Sequence, residues 1–179
     1  MFQTMPEAGE WAVSMSAVYV QQETVRDILD TSERYLRVTD ARTRRVYVNG
    51  AAPAYVPTVE SALDLLHVCW SQRMEMQTDW FGHTVVTVTA RRVVHDGSVL
   101  VSRLTFVELG GSELACAGAS GGGSGLDAKL SRINRGMSSL QAIVNNATER
   151  VASLELQKSP ITFLLRDMLV SFLAMQQSD

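Results

Sequence analysis

The first clear pattern along the chain is an alternation of apolar and polar residues in segment 11–20. A two-residue period is typical of a β-strand. In segment 21–30 the apolar residues Val25, Ile28 and Leu29 change to helical spacing, which predicts a short amphipathic helix. The apolar members of the first segment are Trp11, Val13, Met15, Ala17 and Tyr19.

Two further segments predict β-hairpins. Residues 35–48 are rich in β-branched and aromatic types, and the hairpin is predicted to be closed by Asn49-Gly50. Residues 83–94 and 98–109 are two long β segments separated by His95-Asp96-Gly97. Asp-Gly between two such segments is a strong hairpin signal.

Three further segments have helical periodicity. A helix is predicted over about 59–70, with Thr58 as its N-cap, and a long amphipathic helix over about 126–147. A final helix, around 161–175, follows Pro160, which suits a first helical turn. The first helix carries Val59, Leu63, Leu66 and Trp70 on one face. Strands and helices in this order predict an α/β fold, a sheet of mixed strand direction with helices packed on it.

Composition narrows the class of protein. The chain of 179 residues suits one domain, and its net charge of −3 gives no support to a nucleic-acid-binding surface. No apolar run is long enough to predict a transmembrane helix. Cys69 and Cys116 form neither a disulfide framework nor a zinc cluster, even with His67 nearby, so we expect a reducing compartment and no metal.

The basic residues are unusual in type. Of 16 lysines and arginines, only Lys129 and Lys158 are lysine, and neither follows a glycine. A G-x-x-x-x-G-K-[ST] phosphate loop is therefore absent from this sequence. Arginines concentrate in the predicted hairpin, at Arg34, Arg37, Arg42, Arg44 and Arg45.

The passage from the last predicted strand to the long helix has the residue types of a phosphate-binding edge. Glu108 ends the strand, and two glycines, Ser112 and Glu113 follow. Glycines at the carboxyl end of a strand let the backbone approach a phosphate. The alternative is a turn that needs glycine only for its backbone conformation. Spacing alone leaves both interpretations open.

Several motifs resemble the kinesin motor domain family. Residues 102–113 (SRLTFVELGGSE) are similar to the switch II strand and loop, K-L-x-x-V-D-L-A-G-S-E. Residues 133–140 (INRGMSSL) resemble the relay-helix run I-N-K-S-L-S-A-L, and 159–169 resemble S-K-L-T-R-L-L-Q-D-S-L. Upstream, 18–30 resemble E-I-Y-N-E-x-V-R-D-L-L-D, and the hairpin and helix at 46–48 and 59–66 follow in family order.

The resemblance implies a partial kinesin-motor-like domain over residues 11–175. It leaves 1–10 as an N-terminal extension and 176–179 as a tail, with a Gly-rich loop at 117–125 inside the domain. The family's phosphate loop would precede this segment, and its closing strand and helix would follow it. The family's switch I, N-x-x-S-S-R-S-H, keeps only His83 here, and Phe81 stands at the arginine position.

These departures imply a domain that does not hydrolyse ATP. Efficient phosphoryl transfer needs the phosphate cradle, the metal and the switch groups together. We expect no catalytic residue, no metal and no cofactor, and we interpret His83 as a packed or capping histidine rather than a general base. The alternative is the C-terminal part of a working kinesin ATPase, which would bind ATP and Mg²⁺. The predicted remnants of the nucleotide loop are His83, Glu108, Gly111, Ser112 and Glu113.

The resemblance also implies a cytoskeletal partner. Kinesins present basic residues to the acidic surface of tubulin, and we expect weak or partner-assisted contact here, because the run before Pro160 has lost two basic residues of the family pattern. The alternative is an ordinary solvated face. The candidate contacts are Arg42, Arg44, Arg45, Lys129, Arg132, Arg135 and Lys158.

The expected role is a structural or docking component in the cytoplasm or cytoskeleton, with a cilium or flagellum as one location. Exposed sheet edges would need a partner chain to cover them. No nucleic acid or membrane partner is expected. A nucleotide-binding module in an unrelated α/β protein is the third hypothesis.

Overall fold

The computed structural model describes most of the chain, with gaps at the N-terminus and in several connections. Residues 124–134, 172–173 and 175–176 are described by their backbone alone. The described residues are 11–21, 23–30, 32, 34–40, 46–76, 82–110, 124–145, 156 and 158–176.

One curled β-sheet forms the centre of the molecule. Its strand order is β4-β3-β2-β1-β6-β7, and β5 pairs with β1. The longest pairings join β1 to β6, from Trp11 opposite Arg92 to Gln21 opposite Gly82, and β6 to β7. The strands are β1 (Trp11–Gln21), β2 (Thr24–Asp27), β3 (Tyr35–Asp40), β4 (Val46–Asn49), β5 (Ala54–Tyr55), β6 (Gly82–Val93) and β7 (Val99–Glu108).

In the described part of the chain, four helices pack on the two faces of this sheet. Val18 and Val20 of β1 point to one face and pack with Ile161 and Leu165, while Tyr19 points to the other and packs with Cys69. Since neighbouring residues of a strand point to opposite faces, β1 contributes to both cores. The helices are α1 (Val59–Met76), α2 (Ser124–Asn145), α3 (Pro160–Leu164) and α4 (Arg166–Gln176).

This three-layer arrangement confirms the α/β class. Strand direction differs from the expectation of a mixed sheet, because all the strand pairs in the described part of the chain are antiparallel. Most neighbouring strands are joined by short connections, which can link only antiparallel neighbours, whereas a parallel pair needs a long crossover.

Two element predictions are wrong. The helix predicted within 21–30 is the strand β2, which pairs with β1 on one side and β3 on the other. Pairing on both sides outweighs the helical spacing of three apolar residues in so short a segment. The final helix is two helices, because the chain turns at Leu165, which is buried against the sheet.

Turns and caps agree more closely with the sequence. Gly97 has φ 80 in the β6–β7 turn, and the Thr58 side chain accepts a hydrogen bond from the Ser61 amide, as an N-cap does. Gly50, with φ 91, follows β4 and does not join the hairpin strands; that connection is residues 41–45. The predicted extension 1–10 and most of the Gly-rich segment 117–125 lie outside the described residues, as do residues 177–179 of the predicted tail 176–179.

Candidate functional site

The β6–β7 pairing brings the start of one strand beside the end of the other. Thr84 lies opposite Glu108, so His83 and Gly110 meet just beyond the last pair. The buried Nδ1 atom of His83 accepts a hydrogen bond from the Gly110 amide at 3.0 Å. Burial lowers the pKa of His83, so the neutral ring that this contact requires is favoured. The interpretation of His83 as a packed histidine is confirmed.

Glu108 is engaged by a cation from another element. An Nη1 atom of Arg73, near the end of α1, lies 2.6 Å from its Oε2 atom. The Arg73 side chain is only 7% exposed, whereas that of Glu108 is 47% exposed. The ion pair therefore joins a buried arginine to a half-exposed glutamate. The Arg73 guanidinium also lies 5.0 Å from the centre of the Trp70 ring. The carboxylate at the strand end is therefore already paired with a cation of the same chain.

Close backbone packing fixes this corner of the sheet. A Cβ atom on Gly110 would lie 2.5 Å from the Gly82 carbonyl oxygen, and one on Gly82 would overlap the Tyr19 ring. Both positions therefore require glycine as the strands now lie. The corner is the site made by Tyr19, Gly82, His83, Glu108, Gly110 and Arg73; the other predicted remnants, Gly111, Ser112 and Glu113, lie outside the described residues.

The structure describes four of the seven predicted basic contacts, two of them by backbone alone. Arg135 is exposed on α2, and Lys158 is exposed just before α3. Their elements touch, because a Cβ atom on Gly136 would lie 3.1 Å from Ile161, so these two side chains belong to adjoining surfaces. Lys129 and Arg132 belong to α2, where the structure describes only their backbone. Arg42, Arg44 and Arg45 lie outside the described residues.

Comparison with known proteins decides the family. The sequence-family model of the kinesin motor domain matches residues 1–173. The chain belongs to the kinesin motor domain family. It is 27% identical over 172 residues to a kinesin heavy chain of Botryotinia fuckeliana, a match that covers 92% of this chain and 19% of that protein. It is 26% identical over 171 residues to kinesin-like protein 3 of Schizosaccharomyces pombe, covering 92% and 30%.

Solved kinesin structures have the same fold. A structure described as that of a fast kinesin superposes with a TM-score of 0.72 at 26% identity, covering 88% of this chain and 46% of that one. A second, kinesin 6, gives a TM-score of 0.69 at 19% identity. The chain thus spans less than a third of the two curated relatives and about half of the solved ones.

Arg73 is the charged residue of the corner in this kinesin-family chain that sequence reasoning missed, together with the packing residues Tyr19, Gly82 and Gly110. It lies in a helix whose predicted apolar face is formed by other residues, and its partner Glu108 is 35 positions away along the chain. The one local signal is a basic side chain in the last turn of α1, which also suits the helix dipole. Only the tertiary fold pairs it with the acid.

The β7 side of the kinesin-like sheet is strongly apolar and exposed. Phe106 lies opposite Val86, which lies opposite Ala17, so Phe106 shares the sheet face on which α1 packs. Leu104 and Phe106 are nevertheless 58% and 57% exposed. The face of α1 predicted to be apolar is also exposed, because α1 packs through Cys69 instead. The exposed large apolar residues of β7 and α1 are Val99, Leu100, Leu104, Phe106, Val59, Leu63, Leu66, Val68, Trp70 and Met74.

Other site classes have less support. Within the described ranges no three His, Cys, Asp or Glu side chains are grouped to hold a metal ion. Burial raises the pKa of Cys69 to about 11, so this thiol is held protonated at neutral pH. Among the helices that are described, none has the length and hydropathy to cross a bilayer.

Proposed function

We propose that this chain is a kinesin-like domain that does not hydrolyse ATP and that docks on microtubules as a structural component. The observation that carries the proposal is the corner of the sheet at the end of β7. There, Glu108 is bound by Arg73 and the Gly110 amide is donated to His83. If this edge of the sheet bound a phosphate, the Glu108 carboxylate and the Gly110 amide would be expected to face the nucleotide. Both instead contact side chains of the same chain.

ATP and Mg²⁺, which the family implies, do not fit the described part of this corner. A carboxylate ligates a metal best when no other cation is bound to it, and a phosphate needs backbone amides pointing outward. The sequence adds that Phe81 stands at the switch I arginine position. We therefore assign no catalytic step to these residues.

Docking on an acidic surface is supported by the basic residues on α2 and before α3. Arg135 and Lys158 are both exposed and lie on elements that contact each other. Exposed cations on one surface attract an acidic partner, and salt screens that attraction beyond about 10 Å at 0.1 M. Tubulin, whose surface is acidic, is the partner that the family suggests, and the proposed location is the cytoskeleton, including that of a cilium or flagellum.

A second polypeptide segment is proposed to cover β7. In the described part of the chain β7 pairs only with β6, so its other edge has no strand partner. Long apolar edges promote association with another chain, and large exposed apolar patches mark interaction surfaces. A cooperative thermal melt of a monomeric, soluble chain would contradict this part of the proposal.

Co-sedimentation of the full chain with microtubules, combined with an ATPase assay, tests the function. We expect binding that weakens as salt is raised from 50 to about 200 mM, with no ATP turnover stimulated by microtubules. Arg135→Gln with Lys158→Gln should weaken binding, whereas Arg34→Gln should not. Stimulated turnover would refute the inactive assignment, and the absence of sedimentation at low salt would refute docking.

The alternative function is that of the C-terminal part of a working kinesin ATPase. It is supported by coverage, because the chain spans only 46% of the solved motor chain that it matches at 26% identity. The test is ATP turnover by a product that carries the sequence preceding Met1. Microtubule-stimulated turnover that requires Glu108 would favour this alternative over the docking component.

A further inference from the structure

A groove crosses the sheet face on which α3 and α4 pack. Its floor is formed by β1, β6 and β7, and one wall is formed by β4 and α4. The groove has a volume of about 840 Å³. Small-ligand sites usually have volumes of about 300–1,000 Å³, so the groove is large enough for such a ligand. The residues of the corner are not among the described residues that line it, so it is a separate site.

The floor of the groove changes from apolar to polar along the strands. Residues paired across β1, β6 and β7 form rows, and each row lies on one face of the sheet. The first row packs against α3, and the next two rows carry hydroxyl groups. The three rows are Val18, Val85 and Val107; Ser16, Thr87 and Thr105; and Ser14, Thr89 and Arg103.

These hydroxyl groups make little use of one another. Within the described residues their one mutual contact joins the Oγ1 atoms of Thr87 and Thr105 at 3.5 Å, the outer limit of a hydrogen bond. Each Ser or Thr hydroxyl can donate one hydrogen bond and accept two. The floor can therefore offer both donors and acceptors to a molecule in the groove.

Two arginines lie at the end of the groove farther from α3. Arg103 belongs to the third row, and Arg91 lies in the next row, opposite Val101. Such diagonal neighbours on adjacent strands are about 7–8 Å apart, within reach of long side chains. Among the described residues, neither guanidinium forms an ion pair with a carboxylate. The two cations can therefore converge on one anionic ligand.

The one acid among the described lining residues does not neutralise these arginines. Asp167 accepts a hydrogen bond from the Val46 amide at 2.9 Å through Oδ2, and its Oδ1 atom lies 3.3 Å from Nε of Arg166. Both carboxylate oxygens are thus occupied on the wall side. The polar end of the groove keeps an unpaired positive charge.

We propose that this groove binds a small phosphorylated polyol. Arg91 and Arg103 hold its phosphate groups, because a guanidinium binds phosphate through two parallel hydrogen bonds. The floor hydroxyls pair with the hydroxyl groups of the polyol. Tyr47 and Met168, which line the wall and are 43% and 39% exposed, cover its carbon skeleton. The inference does not rest on the proposed docking on microtubules.

Calorimetric titration of the full chain with an inositol trisphosphate tests the site. We expect saturable binding, at least about tenfold tighter than that of inorganic phosphate, because the smaller anion leaves the floor hydroxyls without partners. Uncharged inositol should give no saturable binding. The absence of saturable trisphosphate binding, or equal affinity for inorganic phosphate, would overturn the proposal.

Arginine variants test where the ligand binds. Arg103→Gln should weaken trisphosphate binding about tenfold, because it removes a charge-assisted hydrogen bond. Arg103 is exposed, so the variant should fold. Arg92→Gln is the matched control, since Arg92 lies next to Arg91 but on the other face, 5.6 Å from the centre of the Trp11 ring. Equal weakening by both variants would indicate general charge attraction and overturn the site.

Serine variants test the polyol assignment. Ser16→Ala removes a floor hydroxyl and should weaken trisphosphate binding about threefold. Ser102→Ala, on β7 beside Arg103 but on the opposite face, should not change it. No difference between the two variants would overturn the assignment of a polyol.

The same chemistry can come from a soluble compound or from a phosphoinositide headgroup. Co-sedimentation with phosphatidylcholine vesicles that contain a phosphoinositide distinguishes these sources. Sedimentation that Arg103→Gln reduces would support the site with a lipid headgroup as its ligand. Calorimetric binding that depends on Arg103, without sedimentation, would support the site with a soluble ligand.

Discussion

The two ends of the sheet are held in different ways. At the β4 end, polar contacts of defined geometry join the hairpin to α4, including the ion pair between Arg166 and Asp40. At the β7 end, large apolar side chains such as Leu104 are mostly exposed, and the outer edge of β7 has no partner strand within the part of the chain that is described.

The chain covers the β4 end of the sheet with its own helices, whereas it leaves the β7 end for another segment to cover. Helices α2, α3 and α4 supply the contacts that cover the β4 end, and Ile161 is buried there. On the α1 side, the apolar faces of α1 and β7 remain exposed together. We call the β4 end closed and the β7 end open. Substitutions in the core of the closed end should lower the stability of the chain. Substitutions at the open end should be tolerated as long as no partner covers it.

The largest expected effect is at the closed end. Ile161 is 2% exposed and contacts both the sheet core and Gly136 of α2. Ile161→Ala should lower the free energy of unfolding by about 2–4 kcal/mol, because it removes buried methyl groups and leaves a cavity. Urea denaturation measures this. A loss below 1 kcal/mol would mean that α3 is not part of the core and would remove the contrast between the ends.

The second prediction concerns the corner where β6 begins. Gly82→Ala would place a methyl group against the Tyr19 ring, and the displacement should cost about 1–3 kcal/mol of unfolding free energy. Gly97→Ala tests a different cause of instability, since its Cβ would meet open space and only its positive φ is strained. A loss of less than about 0.5 kcal/mol in Gly82→Ala would show that the corner is loosely packed.

The sequence predicted the elements better than their contacts. The strand alternation in β1, the Asp-Gly turn and the long helix are local signals, and the structure contains all three. The segment containing Val25 has helical spacing but forms a strand, because its pairing on both sides is a tertiary effect that the local sequence does not show. For the same reason the sequence does not predict the Arg73–Glu108 pair. Its partners meet only when α1 is placed against the end of β7.

Mild acid should distinguish the contacts of the two ends. Burial lowers the folded-state pKa of His83 below the usual value of about 6.5, so the unfolded chain binds a proton more readily than the folded one. The stability due to His83 is therefore present above pH 6.5 and is lost as pH falls from there towards the folded-state pKa, by up to about 1.4 kcal/mol per pH unit. The Arg166–Asp40 pair should persist over most of this range.

The measurement for His83 is urea denaturation at pH values between 7.5 and 5.5. His83→Asn is the control, because its side-chain oxygen can accept from the Gly110 amide without titrating. We expect the control to be less dependent on pH than the wild type. If both have the same dependence, the contact between His83 and Gly110 does not contribute to the loss of stability in acid.

The smallest effect on stability is expected at the open end. Leu104 is 58% exposed, so Leu104→Lys should change the free energy of unfolding by no more than about 0.5 kcal/mol. The same change should reduce self-association in analytical ultracentrifugation, because a charge on an exposed strand opposes edge pairing and shrinks the apolar patch. Leu104→Ala, which adds no charge, should reduce it less. A loss of more than 1.5 kcal/mol would instead mean that Leu104 is covered in the folded chain, and β7 would then be closed in the same sense as the β4 end.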